Sequence, residues 1–168
     1  MNVMEAIEGR RSIRKYVDKP IEQEKLDKVI EAFRLAPSAG NNQTWQLLVV
    51  TNPQIKAQIR QISPSKAPMI ENAPALLVAV SARKDVMTNN QAVDTTDVCI
   101  ALTMAMLEAW ELGLGTCWMA NYTEPEMQKV LGLPETTSVV AMMPIGYGAE
   151  TPDAKPRKPT DEIVKYYT

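Results

Sequence analysis

One stretch of the chain limits the possible folds more than any other. Residues 98–107 read Val-Cys-Ile-Ala-Leu-Thr-Met-Ala-Met-Leu and are apolar at nearly every position. The surrounding pattern predicts a helix from about 93 to 112, terminated by Gly113 and Gly115. A helix that is apolar on all sides lies in a protein core or in a subunit interface. Neither lysine nor arginine occurs between Lys84 and Lys129, which agrees with deep burial of this part of the chain.

The composition indicates one globular domain spanning residues 1–168. Of the 168 residues 45% are apolar and 23% charged, so the chain can bury a sizeable core, and its ten methionines predict that this core is methionine-rich. The net charge of −2 argues against a protein that binds nucleic-acid backbones. No apolar run reaches the roughly 18 residues of a membrane span, and residues 1–14 lack the apolar core of a signal peptide. Two cysteines, Cys99 and Cys117, are too few for a disulfide scaffold, so we expect a cytoplasmic protein with no membrane or nucleic-acid partner.

The chain contains no histidine. This excludes Ser-His-Asp and Cys-His nucleophile systems, histidine-ligated metals and an imidazole general base. Any chemistry must therefore use carboxylates, thiols, backbone dipoles or a cofactor. We expect no metal site.

Periodicity and turn residues predict how the rest of the chain is organised. Asn2 and Glu5 form a capping box for a first helix that Gly9 ends, and Thr123 with Glu126 predicts a second capping box. Further helices are predicted over 22–36 and 53–62, and strands over 45–50, 75–81, 116–120 and 138–145. This irregular alternation favours an α+β sandwich around one central sheet.

Two basic clusters stand at opposite ends of the chain. Arg10, Arg11 and Arg14 surround Ser12 at the end of the first helix, and a second cluster, with Lys155, Arg157 and Lys158, lies in a proline-rich segment. Guanidinium forks match phosphate oxygens, and several of them can neutralise a dianion. A solvated basic turn and a solvated tail are the alternatives, and the spacing does not decide whether the clusters meet.

Three other segments admit more than one interpretation. Ser38, Asn41 and Gln43 suit hydrogen bonds to a heterocycle or a ribityl chain, and ordinary turn chemistry is the alternative. The sequence Gly-Leu-Gly at 113–115 is not a dinucleotide fingerprint, since it closes a helix and the third glycine is absent. Core packing is the expected role of the two cysteines.

Four segments, in order, resemble the motifs of the FMN-dependent nitroreductase family. They are Arg-Arg-Ser-Ile-Arg-Lys-Tyr at 10–16, Ala-Pro-Ser-Ala-Gly-Asn-Asn-Gln-Thr-Trp at 36–45, Gly-Leu-Gly-Thr-Cys-Trp at 113–118 and Pro-Arg-Lys-Pro at 156–159. The resemblance extends over nearly the whole chain. It implies an α+β, three-layer sandwich with a central, mainly antiparallel sheet flanked by helices, and an intertwined homodimer with two FMN sites across its interface.

The resemblance also implies roles for individual residues. The FMN phosphate would be held by Arg10, Arg11, Ser12 and Arg14, with Lys155, Arg157 and Lys158 closing from the tail. The segment that reaches the flavin from the partner subunit would contribute Pro37, Ser38, Ala39, Asn41 and Gln43. The isoalloxazine ring would lie against Trp118, Ala120 and Asn121, and the loop 65–69 would also approach it.

This chain departs from the family pattern in two places. Thr44 stands where the second motif carries a proline before tryptophan, which loosens that loop. Thr103 and Met104 replace an amide pair in the long helix, which alters the polarity of the expected interface.

The implied activity is transfer of reducing equivalents from NADH or NADPH, through FMN, to a nitroaromatic, a quinone or a similar small acceptor, by a ping-pong mechanism. No catalytic side chain is required, because the cofactor performs the difficult step. One alternative is an FMN-binding storage or sensor protein of the same fold without turnover. Another is a flavin-free interaction module in which the helix at 93–112 forms the dimer seam.

Overall fold

The computed structural model describes residues 2–168, and its strands form a four-stranded antiparallel sheet. The strands are β1 (Trp45–Val50), β2 (Ala75–Ser81), β3 (Gly115–Thr116) and β4 (Ser138–Gly146). The helices are α1 (Val3–Gly9), α2 (Gln23–Arg34), α3 (Pro53–Ile62), α4 (Met69–Asn72), α5 (Val93–Glu111), α6 (Glu124–Leu131) and α7 (Thr160–Ile163).

The sheet order is β1-β2-β4-β3, so β2 pairs on both sides. Val78 of β2 lies opposite Leu48 of β1 and opposite Met142 of β4. At the far edge, Thr116 of β3 lies opposite Ile145. Every residue of β2 is buried, which is expected for a strand covered on both faces of its sheet.

Helices cover both faces of the sheet and create two apolar cores. Leu77 and Met143 point to the face covered by α2 and α5. Leu76 and Met142 point to the opposite face, where α3, α4 and α6 pack. Successive side chains of a strand alternate between faces, so one strand supplies both cores. The expected α+β sandwich with a central antiparallel sheet is confirmed.

The long apolar helix divides its surface between the core and the outside. On α5 the side chains of Ala101, Leu102 and Ala105 are fully buried, whereas those of Ile100 and Met104 are each 39% exposed in the single chain. One apolar face therefore fills the core and another faces outward. Within residues 2–168, no helix has both the length and the apolar character that crossing a membrane requires.

The two predicted capping boxes have different outcomes. At α1, Asn2 accepts a hydrogen bond from the amide of Glu5 at 2.9 Å, and the Glu5 carboxylate accepts one from the amide of Asn2 at 2.8 Å. At α6 the prediction is wrong, because the Thr123 side chain caps no backbone amide. Its hydroxyl donates instead to the carboxylate of Glu126, which satisfies both side chains locally.

The strand predicted over 116–120 is much shorter in the structure, and β3 ends at Thr116. Pro144, in the neighbouring strand β4, explains the difference. Its carbonyl accepts a long hydrogen bond from the amide of Cys117, at 3.4 Å, but proline has no N–H to return to the ladder. Pairing resumes only where Met119 and Met142 exchange two hydrogen bonds. The short helices α4 and α7 were not predicted, since four residues are too few to show periodicity.

The glycines after α5 allow the N-terminal segment to approach the sheet. Gly113 ends the helix with a φ of +76°, a left-handed conformation that glycine adopts without strain. A Cβ atom at Gly115 would lie 2.6 Å from Cγ1 of Ile13, which is almost completely buried. The absence of a side chain at Gly115 therefore leaves the space in which the Ile13 side chain packs.

We expect Gly115→Ala to destabilise the fold by about 1–3 kcal/mol, the usual cost of overpacking a core. Chemical denaturation would measure the loss. In the double variant Gly115→Ala/Ile13→Ala, part of the clash is removed, so its destabilisation should be smaller than the sum of the two single effects. Full additivity would show that the two residues do not compete for the same space.

Candidate functional site

The N-terminal segment 12–17 is extended and is held by backbone hydrogen bonds to two different parts of the chain. The amide of Ile13 donates to the carbonyl of Thr116 at 2.8 Å. Further along, the amide of Val17 donates to Tyr147 and the carbonyl of Lys15 accepts from Ala149, both at 2.8 Å. Because Ile13 points into the core, its neighbours on either side point away from it.

A cleft of about 480 Å³ opens between residues 7–14 and the C-terminal arm, residues 152–157. Arg10, Ser12 and Arg14 line one wall, and Lys155 and Arg157 line the other. With Arg11, the lining includes five cationic side chains against two carboxylates, those of Glu8 and Asp153. The two basic clusters, separated by about 140 positions in the sequence, therefore meet in one cleft. Such a concentration of positive charge suits an anion.

One arginine of the cleft also binds backbone carbonyls at the end of a helix. Nη1 of Arg11 donates to the carbonyls of Glu8, Gly9 and Arg10, at 2.7, 2.8 and 2.9 Å. These are carbonyls at the carboxyl end of α1, where a cation is favourable. Arg11 therefore caps the helix from a position beside the cleft.

Lys158, the last member of the tail cluster, lies outside the lining described above. Its ammonium group is 3.7 Å from the carboxylate of Glu162, one turn further along the chain. Both side chains are exposed, so this ion pair contributes little to stability.

Two polar side chains, the half-buried Tyr16 and the buried Cys117, lie behind the cleft wall. The hydroxyl of Tyr16 lies 2.8 Å from the carbonyl of Ile13 and 3.1 Å from that of Pro144. Burial raises the pKa of the Tyr16 phenol, with a further contribution from Cys117. Burial also raises the pKa of the Cys117 thiol, although the nearby Arg14 and Ser12 oppose this shift. Both groups are therefore neutral near pH 7 and add no charge behind the cleft.

The loop 37–43 is held by a carboxylate of the long helix. Both oxygens of Asp97, which is 3% exposed, lie 3.1 Å from the amide nitrogen of Ala39. The hydroxyl of Ser38 accepts a hydrogen bond from the amide of Gln43 at 3.0 Å. Asn41 and Gln43 have φ values of +55° and +50°, in the left-handed region, so the loop needs such anchors.

The structure does not bring all the predicted site residues together in one chain. Within residues 2–168, the cleft lining includes neither the loop 37–43 nor the segment 118–121. Pro37 and Asn41 are exposed at the loop, and Trp118, Ala120 and Asn121 are exposed beyond β3. The predicted set therefore occupies three places on the chain, and its combined role stays a prediction.

Sequence reasoning missed Asp97 as the anchor of the loop. The available signal was an acidic residue directly before the apolar run 98–107 of the long helix, since a carboxylate buried there needs a hydrogen-bond donor. The partner, Ala39, is 58 positions away and gives no sign of the contact in the sequence.

Comparison with known proteins identifies the family. The family model described as "Nitroreductase family" matches residues 7–66 and 61–147. The chain belongs to the nitroreductase family. The resemblance inferred from the four motifs is confirmed.

Relatives of this nitroreductase-family protein include proteins named for FMN-linked reduction. It is 31% identical to the Bacillus subtilis FMN reductase [NAD(P)H], over 96% of this chain and 72% of that protein. The structure of the NADPH:FMN oxidoreductase from Vibrio harveyi, complexed with NAD+, matches with a TM-score of 0.90 and 26% identity, covering 100% of this chain and 78% of that one. The FMN-dependent nitroreductase from Clostridium difficile R20291 matches with a TM-score of 0.83 and 29% identity, over 98% and 99% of the two chains.

We expect Asp97→Ala to lower the free energy of unfolding by about 1–3 kcal/mol, because the amide of Ala39 loses its acceptor. Urea denaturation would measure this change, and limited proteolysis would report on loosening of the loop 37–43. Asp97→Asn is the matched control, since it retains a carbonyl oxygen of the same reach. Equal stability of the alanine variant and the parent would contradict the anchoring role.

Proposed function

We propose that this protein is an NAD(P)H-dependent FMN oxidoreductase and that the basic cleft binds the FMN phosphate. The observation that carries the proposal is the convergence of Arg10, Ser12 and Arg14 with Lys155 and Arg157 on one cleft. Family membership and the FMN-related relatives support the same cofactor.

The residues of the cleft fit a phosphate monoester. Guanidinium groups offer paired N–H donors that match two phosphate oxygens, and a serine hydroxyl adds a neutral donor. Arg10 and Arg14 would hold the phosphate from one wall, while Lys155 and Arg157 would close on it from the other. Arg11 would add positive charge while remaining anchored at the end of α1, and Lys158 would contribute from the rim.

The flavin ring would lie at the interface of a homodimer. We propose that the loop residues Pro37, Ser38, Ala39, Asn41 and Gln43 reach it from the partner subunit, and that Trp118, Ala120 and Asn121 lie beside it. The outward apolar face of α5, with Ile100 and Met104, supports such an interface. Backbone amides near Asn121 would stabilise negative charge on the reduced ring.

When bound, FMN would supply the redox chemistry, taking hydride from NADH or NADPH and passing electrons to a nitroaromatic, a quinone or a similar acceptor in a ping-pong cycle. The contribution of the protein is to bind and orient the cofactor and to hold the loop and the ring segment in place. No side chain needs to act as an acid or a base. The free thiols Cys99 and Cys117 support a reducing, cytoplasmic setting.

The direct test is the absorption spectrum of the purified protein, followed by steady-state assays with NADH and NADPH and a nitroaromatic or quinone acceptor. We expect a yellow protein that oxidises at least one of the two nucleotides. A colourless preparation that takes up no added FMN would overturn the proposal. Bound FMN without turnover would instead indicate the storage or sensor alternative.

We expect Arg14→Ala to weaken FMN binding by about 1.5–3 kcal/mol, the range for hydrogen bonds to charged groups. Flavin fluorescence titration would measure the affinity. Arg34→Ala removes an equal charge from α2, where Arg34 pairs with Glu31, and should leave FMN affinity unchanged. If Arg14→Ala binds FMN as tightly as the parent, Arg14 is not a phosphate ligand.

A further inference from the structure

The N-terminal segment changes its backbone partner at Arg14. Before this residue, Ile13 donates to Thr116 of β3. After it, Lys15 and Val17 pair with the segment 147–149 that follows β4. At such a change of partner, the backbone amides in between have no neighbouring strand to bond to.

A single carboxylate takes up these amides. Oε1 of Glu150 accepts hydrogen bonds from the amide of Arg14 at 2.6 Å and from the amide of Lys15 at 3.2 Å. The residues are 136 and 135 positions apart in the sequence. Glu150 itself is half-buried, and both hydrogen bonds lie at the surface.

Glu150 also stands where the second wall of the cleft begins. The lining of that wall starts at Pro152, two residues further on, and continues to Lys155 and Arg157. The same side chain therefore joins the backbone that carries Arg14 to the start of the arm that carries the other cations. Shortening the Glu150 side chain therefore changes the position of one wall of the cleft relative to the other.

We propose that Glu150 is a positioning residue of the anion cleft, which acts by holding the backbone at Arg14 and the start of the C-terminal arm in register. This inference rests on the proposed FMN-phosphate site. Glu150 favours FMN binding through the backbone geometry that it imposes. Its charge opposes FMN binding, because a carboxylate beside an anion site repels the ligand. The two amide bonds compensate for that repulsion by fixing the place of the cations.

Geometry and charge can be separated with three substitutions. Glu150→Gln retains an oxygen at the same reach and removes the charge. Glu150→Asp retains the charge, but its shorter side chain does not reach both amides. Glu150→Ala removes both features, and Glu24→Ala is a control that changes net charge equally on α2, outside the cleft.

The readout is the affinity for FMN and for riboflavin, which lacks the phosphate, measured by fluorescence titration, with thermal unfolding of each apoprotein. We expect Glu150→Ala and Glu150→Asp to bind FMN roughly tenfold more weakly, on the scale of one lost hydrogen bond to a charged group. Glu150→Gln and Glu24→Ala should stay within about twofold of the parent on that scale. Riboflavin affinity should change little in any variant.

Other results would overturn the inference in recognisable ways. Tighter FMN binding by Glu150→Gln and Glu150→Ala, with Glu150→Asp unchanged, would mean that only the charge matters. Equal losses for FMN and riboflavin, together with lower thermal stability, would mean that Glu150 serves the fold and not the anion cleft. If Glu150→Ala does not fold, the contrast between the aspartate and glutamine variants decides the question.

The outcome for the parent protein distinguishes this inference from the proposed function. A parent that binds neither flavin refutes the FMN site itself. A parent that prefers FMN to riboflavin, with all Glu150 variants equal to it, refutes only the positioning role. A double variant with Arg14→Ala adds a further check, since residues that act through one contact lose less together than the sum of their separate losses.

Discussion

The attachment of the N-terminal segment to the edge of the sheet is the contact on which the candidate site depends. The Ile13 amide bonds Thr116, and its side chain fills the space that Gly115 leaves open. Because side chains alternate along an extended chain, burying Ile13 turns Ser12 and Arg14 outward. Without the packing of Ile13 against Gly115, the basic residues would lie on a free terminus, and a cleft with two walls would not form.

Carboxylates fix the backbone in two places, the loop 37–43 and the segment beside the basic cleft. Asp97 binds the amide of Ala39, and Glu150 binds the amides of Arg14 and Lys15. A carboxylate that accepts hydrogen bonds from backbone amides is well satisfied, because ionised acceptors form stronger bonds than neutral ones. Both carboxylates thus fix backbone segments, and Glu150 does so next to the cleft that collects the basic side chains.

The proline in β4 illustrates how one residue shapes a site without belonging to it. The carbonyl oxygen of Pro144 accepts hydrogen bonds from the amide of Cys117 and from the hydroxyl of Tyr16, but proline has no amide hydrogen to donate. Regular pairing between β3 and β4 therefore stops after two residues, and beyond it Cys117 donates one bond to Pro144 while Met119 exchanges two with Met142. Trp118 and Ala120 flank the buried, paired Met119 and are exposed, as is Asn121 directly after them.

Local patterns predicted the elements that carry strong periodicity. The long helix, three of the four strands and the capping box at Asn2 follow from neighbouring residues, and the structure agrees with them. The four motifs also led to the family, because their order and spacing are properties of the sequence itself. The failures concern contacts that neighbours do not reveal, such as the short strand opposite Pro144 and the side-chain pairing of Thr123 with Glu126.

The sequence by itself determined that an apolar helix must be covered by a core and that the chain carries two basic clusters. It also determined that no imidazole is present for catalysis. Only the tertiary structure decided that Arg14 and Arg157 face one cleft, that Glu150 holds the backbone beside it, and that Asp97 holds the loop 37–43. The physical reason is the sequence separation over which each kind of interaction acts. Helix periodicity and capping act over a few residues, whereas these contacts join positions from 58 to more than 130 residues apart and exist only after the sheet has assembled.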